Sequence, residues 1–146
     1  MTHSHGRALI AVTTGREVGI DLEQLNLHVK ALAIARRYFC SSELAAIAGA
    51  APSLQARSFF RYWVAKEAVL KGQGIGLRFP MDGFEVKCDA HRTNAQVRTL
   101  DDSRLAPDWR IRMLRVDGDW IGAVAARGDS WRLCLQSLPA PHASCA

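Results

Sequence analysis

Three carboxylates and two lysines in this 146-residue chain stand at spacings that could do chemistry. Asp21 and Glu23 lie two apart in V-G-I-D-L-E, and residues two apart on a strand share one face, so both could reach one hard cation such as Mg²⁺. The same triplet is common where strand ends simply face water. Glu67 and Lys71 lie four apart in W-V-A-K-E-A-V-L-K, the ordinary pairing of an exposed helix, worth about 0.3–0.5 kcal/mol. Against that reading, the register with Phe60, Trp63 and Val64 sets Glu67 beside an apolar face, where a compensating cation helps to retain a partly desolvated carboxylate. Lys66 is either a second phosphate contact or a solvated lysine. His3 and His5 sit near a terminus, where side chains are usually poorly ordered.

The elements that must position these groups are legible from periodicity. The runs 7–14 and 17–22, separated by Gly15-Arg16, read as a β-hairpin that leaves Asp21 and Glu23 at a strand's end. The spacing predicts a helix over 29–39, a short second one capped near Ser41-Ser42-Glu43, and a long one over 54–71 stopped by Gly72 and Gly74. Gly72, Gly74 and Gly76 follow that helix rather than precede one, so they read as a cap and turn and not as a phosphate loop. Short strands are predicted over 83–88, 96–100, 109–116, 120–126 and 131–135, several joined by Asp/Gly turns. This order gives an α+β fold with a long central helix packed on a mostly antiparallel sheet. Residues 1–138 form one domain, and the Pro-, Ala- and Ser-rich stretch 139–146 reads as a disordered tail.

Composition narrows the function classes. A net charge of +5 and a pI near 9.4 favour anionic partners. The chain lacks a Lys/Arg-dense stripe interleaved with aromatics, which argues against nucleic acid. The four cysteines, Cys40, Cys88, Cys134 and Cys145, form no C-x-x-C pair and read as reduced thiols. No run approaches the roughly 20 apolar residues of a membrane span, and the first residues do not form a leader, so a cytoplasmic location is the expectation.

Taken together, V-G-I-D-L-E at 18–23 and W-V-A-K-E-A-V-L-K at 63–71, with Arg36-Arg37-Tyr38-Phe39 between them, resemble the two signatures of the 4'-phosphopantetheinyl transferase family. Thr2-His3-Ser4 and the segment 74–77 extend the likeness to nearly the whole chain. It is similar to the C-terminal lobe of the two-domain, secondary-metabolism type. Val64 departs from the Ser or Thr of many members, and the N-terminal lobe has no counterpart here.

The resemblance implies that Asp21, Glu23 and Glu67 hold Mg²⁺, that Lys71 and His3 contact the phosphates of coenzyme A, and that Lys66 supports them. It implies Glu67 and Lys71 as catalytic residues, Glu67 as metal ligand, base or both. The substrate partner is then an apo acyl or peptidyl carrier protein, for which Arg36, Arg37, Arg57 and Arg61 with Leu25, Leu27 and Phe39 are candidate contacts. In this family the cleft lies between two lobes or between subunits. The chain is therefore expected to form a homo-oligomer, a dimer or trimer, or else to be a truncated half. A non-catalytic coenzyme A-binding or carrier-binding module is the alternative.

Overall fold

The computed structural model describes residues 1–74, 79–88, 93–100 and 108–137. The expected turn at 74–77 and the expected tail at 139–146 lie wholly or partly outside them. In chain order the elements are β1 (Thr2–Ser4), β2 (Arg7–Leu9), β3 (Val18–Gln24), α1 (Ala31–Tyr38), α2 (Ser41–Ala48), α3 (Pro52–Gln73), a 3₁₀ turn (Met81–Gly83), β4 (Phe84–Cys88), β5 (Asn94–Thr99), β6 (Trp109–Leu114) and β7 (Trp120–Arg127). Strands β3-β7-β6-β5-β4 make one antiparallel sheet, and β1-β2 make a separate two-stranded ribbon.

Helix α3 lies across one face of this sheet. The alternation of each strand sends Met113, Ile121, Ala123 and Ala125 into the core beneath the helix, together with Phe84, Val86, Val97 and Ile111. Proline at its first turn and a left-handed Gly74 (φ 72°) at its end bound the helix. It runs two residues further at each end than its apolar periodicity predicts, starting at Pro52 and continuing through Gly72 instead of stopping there.

Gly72 is needed where it stands. A Cβ there would lie 2.4 Å from the Trp109 ring, and one on Gly19 would lie 1.9 Å from the Ala68 carbonyl oxygen and 2.3 Å from the Gly72 nitrogen. Strand β3 and helix α3 thus touch backbone to backbone, and this contact sets the height of Asp21 and Glu23 relative to the last turns of α3.

Three local expectations fail for identifiable reasons. The hairpin 7–14/17–22 does not form: Arg7–Leu9 pairs with Thr2–Ser4, while β3 pairs with β7 over seven residues. The apolar residues Ile10 and Val12 instead line a cavity of about 230 Å³ with Val18, Ile20, Val124 and Leu133. Residues 131–135 do not form a strand; Arg112 holds them from a side chain, donating to the Trp131 carbonyl at 3.0 Å and lying over its ring. The cap of α2 is Cys40 and not Ser41, with Glu43 accepting from the Cys40 backbone N–H.

Candidate functional site

The strand alternation that buries Leu22 on one side of β3 puts Asp21 and Glu23 on the other, facing the last turns of α3. Asp21 is buried; its Oδ1 accepts from the Lys71 ammonium at 2.6 Å and from the Thr2 hydroxyl at 3.1 Å. Lys71 also donates to the Thr2 hydroxyl at 3.3 Å. The other oxygen, Asp21 Oδ2, is buried without a hydrogen-bond partner. Glu23, partly buried, accepts from the Ser4 hydroxyl at 3.3 Å.

Glu67 lies partly buried one turn before Lys71. Its carboxyl is pushed up, first by burial and then by the charge of Asp21, with Lys71 opposing and Glu23 adding. Glu23 is pushed up likewise, by burial and then by Asp21. The three carboxylates therefore share one electrostatic neighbourhood at the junction of β3 and α3, and Lys71 is the cation within it. The pairing of Glu67 with Lys71 expected of an exposed helix is not the one seen, since the Lys71 ammonium turns to Asp21.

Among the described residues no three His, Cys, Asp or Glu groups stand together as a ready-made metal site. Mg²⁺ dehydrates reluctantly and keeps several waters beside substrate phosphates, so its site is completed only when the substrate is present. An unpartnered, buried carboxylate oxygen, with two more acids of raised proton affinity within reach of its charge, fits such an ion, since each of these groups gains by meeting a cation.

The remaining expected residues lie elsewhere. Lys66 is corrected: it is fully buried on the other side of α3, not a phosphate contact. Its ammonium donates to the carbonyls of Met81 at 2.6 Å and of Phe84, and pairs with buried Glu43 at 3.0 Å. Glu43 in turn accepts from the backbone N–H groups of Cys40 and Val86, so this pair ties α2, α3 and β4 together. Burial holds the Lys66 ammonium below its ordinary value, and Glu43 works against that shift. Replacing Lys66 by Met strands the Glu43 charge and two carbonyls, and is expected to cost about 3 kcal/mol in urea unfolding. Adding Glu43→Gln to that variant should recover part of the loss.

His3 is exposed, and alternation along β1 turns it away from the face that carries Thr2 and Ser4. Phe39, an expected carrier-protein contact, is buried against Phe59, Tyr62 and Trp63 and belongs to the core. Sequence reasoning passed over Thr2 and Ser4 in favour of the histidine between them. Their signal was the spacing: hydroxyls at i and i+2 facing carboxylates at j and j+2.

A sequence profile described as the 4'-phosphopantetheinyl transferase superfamily matches residues 17–125. The chain belongs to this superfamily. Among curated phosphopantetheinyl transferases it is 32% identical over 132 residues to HetI of a Nostoc species, covering 90% of this chain and 52% of that protein. To Sfp of Bacillus subtilis it is 32% identical over 126 residues, covering 86% of this chain and 53% of that protein. The chain spans about half the length of the curated relatives it matches. The solved holo-[acyl-carrier-protein] synthase of Thermotoga maritima shares the fold, with a TM-score of 0.62 at 16% identity over 78% of this chain and 64% of that one. The superfamily match takes in Asp21, Glu23, Glu67 and Lys71, and it begins after the ribbon that carries Thr2, His3 and Ser4.

Proposed function

We propose that this chain transfers the 4'-phosphopantetheine arm of coenzyme A to a serine of an apo acyl or peptidyl carrier protein, with Mg²⁺, releasing adenosine 3',5'-bisphosphate. The observation that carries this reading is the junction of β3 and α3, where Asp21 Oδ2 is buried and unpartnered, the Lys71 ammonium meets Oδ1, and the charge of Asp21 is felt at Glu23 and Glu67. Attack of a serine hydroxyl on a diphosphate already dense with negative charge is limited by charge neutralisation and positioning, the two things this junction is equipped to provide.

Asp21 through Oδ2, with Glu23 and Glu67, would hold the cation, which when bound neutralises charge on the diphosphate and on the departing bisphosphate. Lys71, more than a third exposed at its side chain, is positioned to share its ammonium between Asp21 and a phosphate oxygen. His3, exposed on the neighbouring ribbon but turned away from Asp21 and Glu23, would meet only a phosphate of coenzyme A lying outside the carboxylate junction. Glu67, as metal ligand, base or both, is the group of this site that would accept the serine proton as attack proceeds. Lys66 supports the site only from the core. The protein acts in the cytoplasm as a homo-oligomer in this reading, so that a second copy completes a cleft of which one chain forms one wall.

Incubation with Mg²⁺, coenzyme A and an apo carrier protein, followed by intact-mass spectrometry, tests the reading. One added arm per carrier is the expected result. Retained coenzyme A binding without any transfer would instead identify a binding module or half of a two-lobe enzyme.

A further inference from the structure

We propose that Thr2 and Ser4 are positioning residues of the carboxylate site: Thr2 clamps Asp21 by Oδ1 so that Oδ2 is presented to the cation, and Ser4 steadies Glu23 in the same way. The inference rests on the reading that this site takes a divalent cation, and it adds two residues that lie outside both signature segments and outside the superfamily match.

The geometry is a matched pair of alternations. Thr2 and Ser4 project from one face of β1, Asp21 and Glu23 from one face of β3, and each hydroxyl donates to one carboxylate across the same offset of 19 residues. The backbone of β1 is taken up by β2, and β3 pairs along its ladder with β7, so the ribbon grips β3 through these side chains.

At Asp21 the division of labour between the two oxygens is complete. Oδ1 has two donors, the Thr2 hydroxyl and the Lys71 ammonium, which also bond to each other, whereas Oδ2 has none and is shielded from water. A threonine serving only to satisfy a buried acid would leave no reason for the second oxygen to stay bare, since orphaned buried acceptors are rare. A ligand carboxylate steadied from behind through one oxygen is the arrangement metal sites use to fix ligand direction.

The clamp is itself held in place. The turn of the ribbon uses left-handed backbone at His5 (φ 41°) and Gly6 (φ 80°), and both flanks rest on Trp120 at the start of β7. His5 meets that ring edge-on at 6.5 Å, and the Arg7 guanidinium lies 5.0 Å above it. Thr2 is buried, so its hydroxyl has little freedom to leave Asp21 for water.

The test is cation affinity of the full chain without coenzyme A, measured with Mn²⁺ by electron paramagnetic resonance of the free ion. Thr2→Val, which keeps the shape and removes the hydroxyl, is expected to weaken Mn²⁺ binding about tenfold or more, the usual effect of losing an outer-shell partner. Thr2→Ser, which restores the hydroxyl, should bind within about threefold of the parent. Ser4→Ala is expected to weaken binding less than Thr2→Val, because Glu23 is the more exposed acid, and it carries the test if Thr2→Val disturbs the ribbon as judged by circular dichroism. Parent-like affinity in both Thr2→Val and Ser4→Ala, with the parent binding saturably, overturns the positioning role alone. A parent that binds no Mn²⁺ sinks the metal reading itself.

Discussion

Glu67→Gln is expected to slow arm transfer by about 10²–10⁴-fold, the range of a lost general base, and at the same time to raise the melting temperature of the metal-free protein. The two effects share a cause. Burial and the charge of Asp21 hold the Glu67 carboxyl above its ordinary 4.5, so the folded chain binds that proton more tightly than the unfolded chain does. Stability from this source is fully present below the unfolded value and is lost as pH rises through the higher folded one. Glu23 behaves in the same way.

The metal-free parent should therefore weaken as pH climbs from about 4.5 towards neutrality. A glutamine at position 67 does not titrate, which removes one of the two contributions and flattens that decline. Screening by water over this partly exposed group keeps the gain small, so the rise in melting temperature is modest and is largest above the ordinary carboxylate range. Calorimetry across pH and intact-mass assay of the carrier protein measure the two halves separately. A variant that transfers like the parent would remove Glu67 from the chemistry.

Gly19→Ala should be the most damaging added methyl among the described glycines. Its Cβ would stand 1.9 Å from the Ala68 carbonyl oxygen and 2.3 Å from the Gly72 nitrogen, and both of these obstacles are helix backbone that no rotamer change can move aside. Strand β3 would have to lift off α3, opening the packing beneath Ala123 and Ala125 and moving Asp21 away from Lys71. A loss above about 4 kcal/mol is expected, at the extreme of single substitutions, read as a large drop in the urea midpoint or in soluble yield. Gly15→Ala offers the comparison: a Cβ there meets nothing within 4 Å, and only its left-handed φ of 71° is strained, so the cost should be near 1 kcal/mol.

These two positions also show what a sequence can and cannot disclose. The long helix, the four strands β4 to β7 and the placement of Glu67 at the margin of an apolar stripe follow from periodicity, because burial on one face writes itself into spacing at 3.6 and 2. The acids at 21, 23 and 67 were named as a set through the likeness of two segments to a family; in the fold the charge of Asp21 is felt at both Glu23 and Glu67, while among the described residues no three acids stand together as a metal site. Lys66 was misread because a buried lysine is rare, and its partners, Glu43 and two carbonyls, come from elements distant in the chain. The hairpin at Gly15 was misread because a turn signal says where a chain bends and not which strand it next meets. Gly72 looked like a turn residue and Gly19 like an ordinary strand position, and only the observed approach of strand to helix shows why neither can carry a side chain.

The ribbon at the front of the chain has a practical corollary for handling the protein. Met1 is largely exposed while its neighbour Thr2 is bonded to Asp21, so any polypeptide fused ahead of Met1 emerges within one residue of the acidic cluster. A polyhistidine leader would deliver a string of chelating imidazoles to the very groups whose ion affinity is in question. Titrations should be made on protein whose leader has been cleaved away.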